Sequence, residues 1–90
     1  MVTVKFTSAL TRFFPDLDDM HVEGNTVHQV LASINRQIPG LQTYLLDDDG
    51  SLRKHVNIFI KEDLIRDRVQ LTDPVKDQDE ILIYQALSGG

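Results

Sequence analysis

Cysteine is missing from all 90 residues. That one absence removes disulfides, zinc–thiolate sites and a cysteine nucleophile together. It also fits a reducing compartment, so the cytoplasm is the expected location. No apolar run approaches the ~20 residues that span a bilayer, and the first residues lack the pattern of a secretory signal. A membrane partner is therefore not expected. Basic excess is lacking too: 9 Lys and Arg stand against 14 Asp and Glu, a net charge of −5. This opposes binding to a phosphate backbone, so no nucleic-acid partner is expected. By sign alone a basic protein surface is the better complement, although acidity of this size also simply keeps a small protein soluble. Internal repeats, low-complexity tracts and linkers are absent.

What is present reads as one globular domain spanning residues 1–90, with 41% hydrophobic and 26% charged residues. A chain of this length buries only ~60% of its unfolded surface, enough for one sheet and one or two helices. Val2-Thr3-Val4-Lys5-Phe6-Thr7 alternates, placing Val2, Val4 and Phe6 on one side of a strand. Ser8 to Asp19 reads as a long connection. Pro15 bars a central strand there, and Phe13 and Phe14 are expected against the edge of the core. Met20 to Glu23 reads as a second strand forming a hairpin with the first, ended by Gly24.

Thr26-Val27-His28-Gln29 has the Thr-x-x-Gln form of a capping box. Val27, Val30, Leu31, Ile34 and Ile38 continue from it as a helical stripe, and Pro39-Gly40 stops it. Leu41, Tyr44 and Leu45 suggest one further helical turn. His55 to Ile60 is a third strand with Val56, Ile58 and Ile60 on one face. Lys61-Glu62-Asp63 turns it back into a short strand, Leu64 to Arg66. Arg66 to Glu80 reads as polar, with Asp77 to Glu80 marking the turn into a last strand that begins at Ile81. Two or three early and late strands around a single long helix predict an α+β, β-grasp fold: a mixed four- to five-stranded sheet covered by that helix, with the first and last strands central. A ferredoxin-like arrangement would need two long helices.

Motifs for catalysis or metal binding do not assemble. Asp47-Asp48-Asp49-Gly50 lacks the alternating ligands and distal Glu of a calcium loop, so it reads as an acidic turn. His21, His28 and His55 share no metal-ligand spacing. Glu62, Asp63, Asp73 and His55 are scattered, without a nucleophile, a base and an orienting group at useful spacing. Neither catalytic residues nor a metal site are expected.

The sharpest change in composition falls at Gln85, from branched and aromatic residues to Ala, Ser and Gly. At an average glycine usage of ~7%, two adjacent terminal glycines arise by chance on the order of 0.5% of the time. Residues 86–90 are therefore read as a flexible, functional tail. From Gln85 to Gly90 it reaches roughly 20 Å when extended. Lacking a Cβ, Gly89 and Gly90 suit a narrow channel. Beside it, strand parity places Phe59, Leu82 and Tyr84 together on the face of the sheet away from the helix. Three large apolar groups at one place suggest a docking surface, with cross-strand stabilisation of the sheet as the alternative.

On these residues the chain resembles the ubiquitin-like sulfur carriers of the ThiS/MoaD family over essentially its whole length. The resemblance is carried by the capped helix from Thr26 to Ile38, the acidic turn Asp77 to Glu80, the final strand and Ala86-Leu87-Ser88-Gly89-Gly90. Arg53 to Asp63 looks most like the CysO branch, which serves cysteine biosynthesis. The resemblance implies that Gly90 is adenylated by a separate, ATP-using activating enzyme and converted to a thiocarboxylate. Ala86, Leu87, Ser88 and Gly89 would thread that enzyme's channel, and Phe59, Leu82 and Tyr84 would dock the body. The chain would bind no cofactor itself and act as substrate and carrier rather than enzyme. Its further partners would be a sulfur-accepting synthase and a metalloprotease that releases the product. Because the sequence ends at Gly90, no trimming protease is expected. Cysteine or a related sulfur metabolite is the first expected destination, with molybdopterin, thiamin and tRNA open. The alternatives are a modifier conjugated through Gly90 to lysines and a non-covalent β-grasp binding module.

Overall fold

Side-chain alternation along the strands decides which face of the sheet is covered, and the computed structural model, which describes residues 1–12, 14–15 and 17–85, bears this out. Its elements are β1 (Val2–Phe6), α1 (Ser8–Thr11), β2 (Met20–Val22), α2 (Val27–Gln37), α3 (Leu41–Leu45), β3 (Val56–Ile60), β4 (Asp63–Leu64) and β5 (Glu80–Gln85). The strands form one sheet in the order β2-β1-β5-β3-β4. β1 and β5 run parallel while every other neighbouring pair is antiparallel. A parallel pair needs a long crossover, and α2 lies within it. The pleat then turns Val2, Val4, Val56, Ile58, Ile81 and Ile83 toward one side, none more than 1% exposed.

α2 covers that side with Val27, Val30, Leu31 and Ile34, all buried. Each such side chain contributes about 1.5–3 kcal/mol on leaving water. The helix starts where expected: Thr26 Oγ1 accepts the Gln29 N–H at 3.2 Å. Gln29 Oε1 reaches back to the N–H of Asn25 at 2.7 Å, one residue beyond the usual capping-box partner. Gly24 lets the chain pass close under the helix, since a Cβ there would lie 2.9 Å from the backbone nitrogen of Val30. Gly40, at φ 96°, turns the chain into α3 in a conformation that suits glycine.

Three parts of the chain differ from the sequence reading. The connection after β1 contains the single helical turn α1, too short to show a period, and it buries Leu10 completely. Phe14 packs against the core as expected, and its ring meets Tyr44 edge-on at 5.1 Å. Phe13 lies outside the described residues. The return strand is Asp63–Leu64 rather than Leu64 to Arg66, because Lys61 takes a left-handed φ of 58° and shortens the turn. The supposedly polar stretch from Arg66 to Glu80 supplies Leu71 and Val75 to the core. It is drawn inward because the carbonyls of Asp73 and Leu71 accept the N–H groups of Val27 and His28 at 3.1 and 2.9 Å, satisfying the first turn of α2.

Candidate functional site

With one face of the sheet sealed by α2, function has to be sought on the other. Register places the residues of this open face in rows. Lys5, Leu82, Phe59 and Leu64 are successive neighbours across β1, β5, β3 and β4. Tyr84 stands opposite Asn57 in the next row toward the end of β5. Phe59 and Leu82, both half-buried, are thus direct cross-strand partners. Tyr84 is 42% exposed. All three expected docking residues occupy one face: Tyr84 lies one residue from the end of β5, and the Phe59–Leu82 pair sits mid-strand, nearer its start.

Leu64 belongs to the same patch and sequence reasoning missed it. It is 50% exposed and lies opposite Phe59. Once the turn at Lys61 and Glu62 is known to be tight, antiparallel register requires this pairing; the turn's length was the missing signal. The apolar row has a polar rim. Lys5 Nζ lies 3.6 Å from Glu80 Oε1, and Arg68 Nη1 donates to Asn57 Oδ1 at 3.0 Å.

Arg68 is presented by a loop that two carboxylates hold together. Asp73 accepts the N–H groups of Arg66 and Asp67. Asp67 accepts the Thr72 hydroxyl at 2.5 Å and the N–H groups of Val69, Gln70 and Thr72. The Thr72 hydroxyl foremost, with these N–H groups, pulls the Asp67 carboxyl down to about 2, below its ordinary 3.8. The loop is therefore locked in its ionised form at neutral pH.

At the end of β5, Gln85 pairs with Val56 and its N–H reaches Thr7 Oγ1 at 3.4 Å. The expected tail, Ala86, Leu87, Ser88, Gly89 and Gly90, lies outside the described residues. The acidic triplet is engaged locally: Asp49 accepts the hydroxyl and N–H of Ser51 at 2.6 and 2.9 Å, which lowers its pKa, and Asp47 meets Arg53 at 3.5 Å. Among the described residues no cluster of three or more His, Cys, Asp or Glu could hold a metal ion, and no helix is long and apolar enough to cross a membrane.

A mixed sheet with parallel first and last strands in its middle, one long helix on one face and an apolar patch on the other defines a ubiquitin-like β-grasp protein. The chain belongs to the ThiS family, whose model matches residues 4–90. It is similar to the sulfur carrier protein CysO of Mycobacterium tuberculosis and of Mycobacterium bovis, 25% identical over 91 residues, covering 99% of this chain and 98% of those proteins. Among solved structures, a chain of the Amycolatopsis orientalis BexX/CysO complex superposes with a TM-score of 0.85 at 23% identity over the whole of both chains. Mycobacterium tuberculosis CysO gives 0.83 at 24% identity, covering 97% of this chain and 100% of that one. The small archaeal modifier protein 1 of Methanosarcina acetivorans gives 0.77 at 29% identity, covering 99% and 95%.

Proposed function

We propose that this protein is a sulfur carrier of the CysO type whose reactive group is the carboxylate of Gly90. The observation that carries the reading is the family match, which continues through the two final glycines from a sheet whose open face bears an apolar patch. A terminal carboxylate is anionic at neutral pH, with a pKa of about 3.3–3.7, and is a poor electrophile. Activation by a partner supplies what the chain lacks. One carboxylate oxygen attacks the α-phosphorus of ATP, pyrophosphate leaves, and the acyl adenylate forms. Sulfide then attacks the acyl carbon and AMP leaves, giving the thiocarboxylate. A persulfide donor reaches the same product once a thiol has reduced the intermediate disulfide.

In this reading Ala86 to Gly89 thread the partner's channel while Phe59, Leu82 and Tyr84 seat the body against it. The chain is substrate and carrier, not catalyst, and works in the cytoplasm, where ATP and the activating enzyme meet it. A sulfur-accepting synthase takes the sulfur next, and a metalloprotease releases the product if the acceptor stays joined to Gly90. Likeness to CysO favours cysteine or a related metabolite as the destination.

Intact mass spectrometry of the protein from its own cell tests this. The expected result is a species with one oxygen replaced by sulfur at the terminus, alkylated by iodoacetamide at Gly90 alone. A chain that is neither adenylated nor sulfurated there would sink the proposal. Likeness to a small archaeal modifier protein supports a second reading, conjugation through Gly90 to lysines. Isopeptide-linked adducts ending in Gly90 would establish it.

A further inference from the structure

Charge on the open face is divided along the strands. At the start of β5, Glu80 lies in the row of Thr3 and His21, and Asp79 meets Lys61 at 3.4 Å. Glu62, Asp63 and Asp77 stand exposed at the same end. At the other end, beside the tail, the chain from Arg53 to Val56 closes as a turn, the Val56 N–H donating to the Arg53 carbonyl at 3.0 Å. The guanidinium of Arg68 is clasped by that turn. Its Nη2 donates to the carbonyls of Arg53 and Val56, both at 2.8 Å, and its Nη1 to Asn57. All these acceptors are neutral. Lys54 and His55 sit exposed at the tip of the turn. Among the described residues neither Arg68 nor Lys54 forms an ion pair, whereas Arg53 is matched by Asp47. Asp67, next to Arg68 in sequence, turns its carboxylate into its own loop.

We infer that the tail-proximal half of the open face is read by an acidic surface on the activating partner, with Arg68 and Lys54 as the charged contacts beside Tyr84. This rests on the carrier reading and adds the chemistry of the partner's surface. The net charge of −5 points the other way, so distance has to decide. The two ends of a six-residue strand such as β5 are about 17 Å apart, and the Debye length is ~8 Å at physiological salt. At the root of the tail a partner therefore meets the local positive charge, while toward the other end Glu80, Asp79 and Asp77 are offset by Lys5, Lys61 and the N-terminal amine. Val56, which helps clasp Arg68, pairs with Gln85. The positive group thus stands at the root of the tail.

The test is ATP–pyrophosphate exchange catalysed by the adenylating enzyme of the chain's own cell, with the full chain as substrate, at about 50 mM and about 500 mM salt. Lys54→Glu is expected to raise KM on the order of tenfold at low salt with kcat unchanged, and to differ little from the unaltered chain at high salt. Glu62→Lys, at the acidic end, is expected to leave KM unchanged. Circular dichroism confirms that both variants are folded. A KM for Lys54→Glu within about twofold of the original, or a greater loss from Glu62→Lys, overturns the inference. No exchange with the unaltered chain overturns the carrier reading itself, and this inference with it.

Discussion

Neighbouring residues of β3 point to opposite faces, so truncating each of them separates fold from function. Ile58 is fully buried beneath α2, whereas Phe59 lies half-buried on the open face between Leu82 and Leu64. Ile58→Ala removes three carbons, worth roughly 2.4 kcal/mol at ~0.8 kcal/mol each, and the unfilled space raises the cost to about 3–4 kcal/mol. A domain of this length is stable by roughly 5–13 kcal/mol. The variant should fold, with Tm lowered by roughly 12–32 °C. Phe59→Ala loses two cross-strand contacts worth ~0.2–1 kcal/mol each, so its Tm should fall by at most about 16 °C. In partner-dependent adenylation the order reverses. If Phe59 anchors the interface, its loss should cost about 2 kcal/mol, or roughly 30-fold in kcat/KM, while Ile58→Ala measured below its Tm should stay within a few-fold. Thermal melts and pyrophosphate exchange on the same samples decide it. If Phe59→Ala melts as low as Ile58→Ala and is adenylated normally, Phe59 is part of the sheet's packing and the docking face is wrong.

Other perturbations test the scaffold. Thr26→Ala removes the oxygen that accepts the Gln29 N–H and should cost about 1 kcal/mol in urea unfolding, with the m-value unchanged. Gly24→Ala sets a Cβ against the Val30 backbone nitrogen, which cannot yield as a flexible side chain would; a loss of about 1–3 kcal/mol is expected from the same assay. Asp67→Asn should lower Tm at neutral pH. Because the folded pKa is depressed to about 2 from 3.8, the stability this carboxylate gives is present above pH ~4 and lost as pH falls toward 2. The difference in Tm between the two proteins should accordingly narrow across that interval.

How far the sequence could be read depended on whether each residue's role was local. Val56 and Ile58, or Val27, Val30, Leu31 and Ile34, announce their faces through spacing alone, and Thr26 with Gln29 marks where the helix begins. Parity also brought Phe59, Leu82 and Tyr84 to one face. Leu71 and Val75 carry no such signal: each is a lone apolar residue among polar ones, buried because the start of α2 needs the carbonyls nearby. α1 is a single turn and cannot display a period. Within the candidate site, Leu64 depended on the length of one turn. Arg68 depended on a loop folded by Asp67 and Asp73, and on a contact with Val56 twelve residues away. Local periodicity cannot encode such contacts.

If a partner handles the tail as proposed, the topology keeps that from loosening the body. β5 is flanked on one side by parallel β1 and on the other by antiparallel β3, with four registered positions along the first and five along the second. A tail leaving an edge strand could be peeled away one hydrogen bond at a time. Here, withdrawing the root means breaking two ladders at once and exposing Ile81 and Ile83, which are among the most deeply buried side chains of the core. The Gln85 N–H is further tied to Thr7, at the end of β1. Force or strain applied beyond residue 85 is therefore met by the centre of the sheet, while both edges, β2 and β4, stay outside the load path. If the terminal residues are bound and activated as proposed, such a body would let the rows that carry Phe59, Leu82 and Tyr84 hold their geometry throughout.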